Sequence, residues 1–197
     1  NWVSVDAREP RPVLWPAGPA SEERTQTTTR SAMLFQRGSD VPLCGHNVSV
    51  APGAEGADQL VVESMKTRLR GEAAGARVSL PSGSAVDPVD LVGEFMRYLV
   101  EEVRAGDPFR GRMDMDARLV LTLPVMEGGA AFRTQRENTL RAAQIAGLPL
   151  SDLVTPSEPE CAALDLMHSL RRGDYTFNGR EYHLQDGEAI LVFDCGA

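Results

Sequence analysis

Short runs that alternate between apolar and polar residues open the chain, and apolar residues at helical spacing dominate its middle and later parts. Trp2, Val3, Ser4 and Val5 alternate in polarity, a turn follows over residues 8–11, and Pro12, Val13, Leu14 and Trp15 form a second apolar run, which predicts a hairpin. Residues 16–30 are rich in Pro, Gly, Ser and Thr and too polar for a core element, whereas residues 31–36 predict a third strand. Residues 38–52 carry no strong period and 52–56 read as a loop. Over residues 57–70, Leu60, Val61, Ser64, Met65 and Leu69 fall near helical spacing ahead of Gly71, which predicts a helix with a glycine C-cap. Residues 77–80 predict a short strand.

The clearest helix begins at Asp87, a capping residue followed by Pro88. Beyond it, Val89, Val92, Phe95, Met96, Leu99, Val100 and Val103 line one apolar face. Residues 118–124 form a near-continuous apolar run of strand length, the kind found in sheets covered on both faces. A helix is expected over 130–146, ended by Gly147, and another over 157–170 with Pro159 in its first turn. Residues 175–184 predict a hairpin around Asn178 and Gly179, and 189–194 a second buried strand. This order of elements points to an α/β architecture, and no internal repeat interrupts it.

Composition narrows the function classes. A chain of 197 residues has the size of one domain and buries roughly 70% of its unfolded surface on folding. Its 42% hydrophobic and 24% charged residues are ordinary for a globular protein. A net charge of −8 repels polyanions and no basic cluster with interleaved aromatics offsets it, so nucleic acid is not an expected partner. No apolar run approaches the roughly 18 residues that cross a bilayer, and residues 1–6 lack a basic segment leading into an apolar one, so the expectation is a soluble, cytoplasmic chain without a membrane partner. Cys44, Cys161 and Cys195 are far apart and without CxxC spacing, and read as reduced structural thiols. His46, His168 and His183 are equally scattered and lend no local support to a metal site or a Cys–His nucleophile. An unrelated α/β enzyme finds no dinucleotide fingerprint or nucleophile–base motif to stand on.

A more specific signal lies in the order of four motifs: Thr122-Leu123-Pro124, Gln135-Arg136, Ile145-Ala146-Gly147-Leu148, and Glu158-Pro159-Glu160-Cys161-Ala162-Ala163-Leu164. In this order and near this spacing they resemble the ATPase domain of DnaK-type heat-shock chaperones. Residues 190–196 resemble the family's second phosphate loop, an apolar strand running into Asp-x-Gly-Gly-Gly-Thr, of which Asp194-Cys195-Gly196-Ala197 is the opening half. Looser matches are Met65-Lys66-Thr67-Arg68-Leu69-Arg70-Gly71 and Thr27-Thr28-Thr29-Arg30-Ser31-Ala32. The resemblance covers nearly all of the chain and is sharpest over 118–166 and 190–197. It implies an actin-like, ribonuclease-H-related lobe with a mixed sheet flanked by helices, its core at 1–36 and 117–197 and an inserted smaller subdomain at 37–116.

The resemblance also implies a chemistry. Phosphoryl transfer asks little covalent work of the protein and much positioning of Mg²⁺, phosphates and water. Glycine loops supply amide cradles, and carboxylates hold the water shell of a metal that dehydrates reluctantly. On this reading ATP or ADP and Mg²⁺ are the cofactors, Glu158 and Asp194 hold the metal through water with no direct protein ligand, and Gly196 belongs to the phosphate loop. Pro124 and Arg136 relay nucleotide state to a partner domain, and co-chaperone or client proteins are the partners. The family's first phosphate loop would precede Asn1 and the second would close beyond Ala197, so the chain alone is expected to be inactive. The chain departs from the family in having no lysine near residues 45–49, where the family carries one that stabilises the transferring phosphate, in a longer loop after Pro124, and in an insertion before Glu158.

Plainer roles stand beside each of these. Glu158 as a complement to the positive end of its helix would contribute about 0.3–1 kcal/mol. Asp194 and Gly196 would serve as turn residues, Pro124 as a strand terminator and Arg136 as a solvated helix arginine. The alternative function is a divergent, non-hydrolysing actin-fold module that binds or scaffolds.

Overall fold

The computed structural model describes residues 3–4, 11–12, 15–16, 25–26, 29–39, 41–49, 56–105, 120–123, 130–177 and 179–182. Within them the chain is a mixed α/β protein with small sheets and three helices. It divides into two compact units, Asn1–Ala117 with Arg133–Leu150, and Arg118–Phe132 with Ser151–Ala197.

In the first unit, β1 (Val3–Ser4) pairs antiparallel with β2 (Arg11–Pro12), the expected opening hairpin. A second small pair joins β3 (Trp15–Pro16), which starts at the end of the expected second run with Trp15 buried, to β4 (Thr25–Gln26), in the stretch expected to hold no core element. The strand expected at 31–36 is β5 (Ala32–Gln36), the centre of a three-stranded antiparallel sheet. Its neighbours are β6 (Leu43–Cys44) and β7 (Gln59–Glu63), so pairing crosses residue 37. Side chains alternate across this sheet as the pleat requires. Met33 and Val62 face one apolar cluster with Cys44, Met65 and Leu69, while Ala32, Leu34 and Val61 face a second with Val48.

The helix expected over 57–70 is not formed. Leu60, Val61 and Val62 pair in register with Phe35, Leu34 and Met33, and two adjacent β-branched residues suit a pleated surface better than a helix. The strand ends at Ser64, whose φ of 56° is rare outside glycine. A 3₁₀ turn (Thr67–Leu69) follows, fixed by Thr67 N–H and Oγ1 donating to the Ser64 carbonyl. The apparent helical spacing arose from a strand and a turn laid end to end, and Gly71 takes its positive φ after the 3₁₀ turn.

A hairpin of β8 (Val78–Ser79) and β9 (Ala85–Val86) leads into helix α1 (Pro88–Ala105). The start is as expected: the Asp87 carboxylate accepts the Val89 N–H at 2.8 Å, and Pro88 gives up no helical donor. Val89, Leu91, Val92 and Phe95 complete the main core with Ala142 of helix α2 (Ala130–Ile145), which belongs to this unit from Arg133 onward. The two helices meet closely at Gly93, where a Cβ would fall 2.6 Å from Ile145 Cγ2 and 3.1 Å from the Ala142 carbonyl. Arg97 seals the end of α2 by donating to the Ile145 carbonyl at 2.6 Å. Gly147, at φ 78°, ends the helix where the sequence placed its stop.

In the second unit, the segment at 120–123 makes two isolated parallel bridges, Val120 to Val154 and Leu123 to Ser157. Helix α3 (Glu158–Arg172) follows, then a hairpin of β10 (Tyr175–Phe177) and β11 (Arg180–Tyr182) turning at Gly179, which has φ 71°. The run at 118–124 was expected to be covered on both faces. Leu123 is 3% exposed but Val120 is 60% exposed, so the run is not covered at Val120. The strand expected at 189–194 lies outside the described residues. No helix among them is long and apolar enough to cross a membrane.

Candidate functional site

In the second unit the segment at 120–123 is tied to residues 154–158, at the start of a helix, by a short ladder of backbone hydrogen bonds. Leu121 N–H donates to the Val154 carbonyl and Leu123 N–H to the Pro156 carbonyl, both at 2.9 Å, and Glu158 N–H donates to the Leu123 carbonyl at 2.8 Å. Glu158, the first residue of α3, is thereby held beside Leu123 at the end of the 120–123 segment. Its residue is half-buried.

The helix start is built from local signals. Ser157 is extended, with φ −74° and ψ 154°, and its Oγ accepts the Glu160 N–H at 3.3 Å. The Glu160 carboxylate reaches back to accept the Ser157 N–H at 2.7 Å, closing a capping box. The Ser157 backbone N–H, and after it the Ser157 hydroxyl, hold the Glu160 carboxyl below its usual range. At the other end Gly173, at φ 73°, caps the helix behind Arg171 and Arg172, and the charges at both ends suit the helix dipole.

The other candidates are placed less informatively. Arg136 is exposed on α2 in the first unit, whereas Glu158 belongs to the second. Asp194, Gly196 and Pro124 lie outside the described residues. Gln135, beside Arg136 in the motif, was given no role from sequence. It is 2% exposed, neither side-chain amide atom has a partner, and its backbone carbonyl accepts the Thr139 hydroxyl at 2.7 Å.

Sequence reasoning also missed a polar cluster in the first unit. His46 Nδ1 and the Tyr98 hydroxyl share a hydrogen bond of 3.0 Å across 52 residues, a pairing with no local sequence signal. Gly45, at φ 60°, makes room for it: a Cβ there would lie 2.7 Å from Thr29 Oγ1 and 2.8 Å from the Tyr98 hydroxyl. Burial, then Glu102 and Cys44, push the Tyr98 hydroxyl pKa up, and burial followed by Glu94 pushes Cys44 up to about 12. Cys44 is thus a protonated core thiol, and Cys161 is also free of any disulfide.

No group of three or more His, Cys, Asp or Glu side chains placed to hold a metal ion occurs among the described residues. At the start of α3 two carboxylates share one turn: Glu158, whose residue is half-buried, and Glu160, engaged by the capping box. No family model matches the chain, and no curated protein or solved structure matches it.

Proposed function

We propose that the chain is the first-lobe part of a DnaK-type, actin-like ATPase domain that binds Mg·ATP only within a complete protein. The observation that carries this reading is the placement of Glu158: a half-buried residue at the first position of a helix, its backbone N–H bonded to the Leu123 carbonyl, inside the motif series that resembles the family. Glu158 and Asp194 would hold the Mg²⁺ water shell, and Gly196 would belong to the loop around the phosphates. Mg²⁺ supplies charge neutralisation on the phosphate oxygens. Pro124 and Arg136 would report nucleotide state to a partner domain, with co-chaperone or client proteins as the partners.

A second reading has its own support. No lysine occurs at residues 45–49, and His46, the one ionisable side chain in that stretch, is turned to Tyr98. This favours a non-hydrolysing module that binds or scaffolds. Calorimetric titration of Mg·ATP into this chain and into the complete protein tests the proposal. The expected result is binding by the complete protein only. No binding by either would overturn it in favour of the scaffold, and equal binding by both would overturn the split pocket.

A further inference from the structure

One face of α2 changes character along its length. Gln135, Asn138, Thr139 and Ala142 follow one another at helical spacing, and Ala142 belongs to the main core while the residues before it are polar. Asn138 and Thr139 are paired within the protein. Thr139 Oγ1 donates to the Gln135 backbone carbonyl at 2.7 Å, and Asn138 Nδ2 donates to the Leu69 carbonyl at 3.1 Å. The Gln135 side chain is different: the residue is 2% exposed, and neither Oε1 nor Nε2 finds a partner among the described residues. A second buried atom without a partner, Arg70 Nε, belongs to the residue that follows Leu69, where this face of α2 is anchored.

We propose that the side-chain amide of Gln135 holds internal water on the polar part of this face. The proposal is independent of the nucleotide reading above. A buried amide deprived of hydrogen bonds is costly, and such groups in folded proteins are nearly always paired with protein or with ordered water. The chemistry of the amide selects the occupant. Nε2 donates and Oε1 accepts, so the occupant has to offer both an acceptor and a donor, as water does. A fully ionised anion offers acceptors only and would leave Oε1 unpaired. A peptide strand carries both kinds of group but is too large to reach a side chain this enclosed. Arg70 Nε–H, a donor only, is a further group that such water can satisfy. On this account the face of α2 is hydrated at Gln135 and dry at Ala142.

The test is the nuclear Overhauser effect between water and the Gln135 side-chain amide protons, recorded in the complete protein with isotope-labelled glutamine. Laboratory-frame and rotating-frame spectra together separate proximity to water from proton exchange. The Gln135 signals are assigned by their loss in Gln135→Met, or in Gln135→Glu should the first variant not fold. The expected result is a cross-peak of the sign that marks water tumbling with the protein. It should persist in Thr139→Val, which removes the neighbouring hydroxyl as a relay. Absence of the cross-peak, or a cross-peak that arises from exchange alone, would overturn the proposal. Its loss in Thr139→Val would also overturn it, by assigning the signal to the hydroxyl proton.

Discussion

Helices α1 and α3 are similar in length and both start at clear capping signals, yet they are held in place by opposite means. Helix α1 buries Val89, Leu91, Val92, Phe95, Val100 and Val103, whereas α3 buries no residue among those described. Each fully buried apolar side chain contributes about 1.5–3 kcal/mol, so α1 is set by tertiary packing. For α3 the restraints seen among the described residues lie mostly at its ends: a capping box, a proline in the first turn, an αL glycine, and a backbone bond to Leu123. Segments that bind ligands or move are commonly drawn from the less stable parts of a structure. Here the candidate carboxylate lies on the helix with little packing, and the core lies elsewhere.

Substitutions can break this contrast, and the largest effects belong to the first unit. Phe95→Ala should cost about 3–5 kcal/mol of stability by denaturant titration, from lost burial and the cavity left behind. Gly93→Ala should cost about 1–3 kcal/mol, because the added methyl meets Ile145 and the Ala142 carbonyl. In α3, Ser157→Ala should cost about 1 kcal/mol, seen as faster amide exchange in its first turn and little change in α1.

A smaller effect should follow pH. The Glu160 carboxyl is held below its unfolded value, so its stabilising contribution is full above the ordinary Glu range and fades as pH falls through the folded value. Helicity of α3 should accordingly weaken on acidification, and Glu160→Gln should flatten that part of the profile. Smallest of all, Leu164→Ala at a site 63% exposed should stay within about 0.5 kcal/mol of wild type. A loss as large as that of Phe95→Ala would show that α3 is held by packing after all.

What was legible in the sequence follows the same divide between local and distant causes. Asp87-Pro88, Pro159 and Asn178-Gly179 act on their neighbours, and the elements they announce are present: α1, α3 and the β10–β11 hairpin. The start of α3, where Glu158 stands, was legible for the same reason. The Ser157-to-Glu160 box was written there as well, in the spacing Ser-x-x-Glu, and its signal was local. Residues 57–70 misled because a strand and a turn imitated a helical period, and only pairing with Ala32–Gln36 decides between them. The His46–Tyr98 bond depends on a contact across 52 residues and on Gly45 admitting it, which no local pattern encodes.

The central claim is that Glu158 serves a Mg·nucleotide, and comparing Mg·ATP binding by the complete protein with its Glu158→Gln variant tests it most directly. The account predicts measurable affinity in the wild type, strengthened by Mg²⁺, and loss of that strengthening in the variant. Equal Mg·ATP affinity in the two proteins would contradict it and return Glu158 to the role of a helix-end charge.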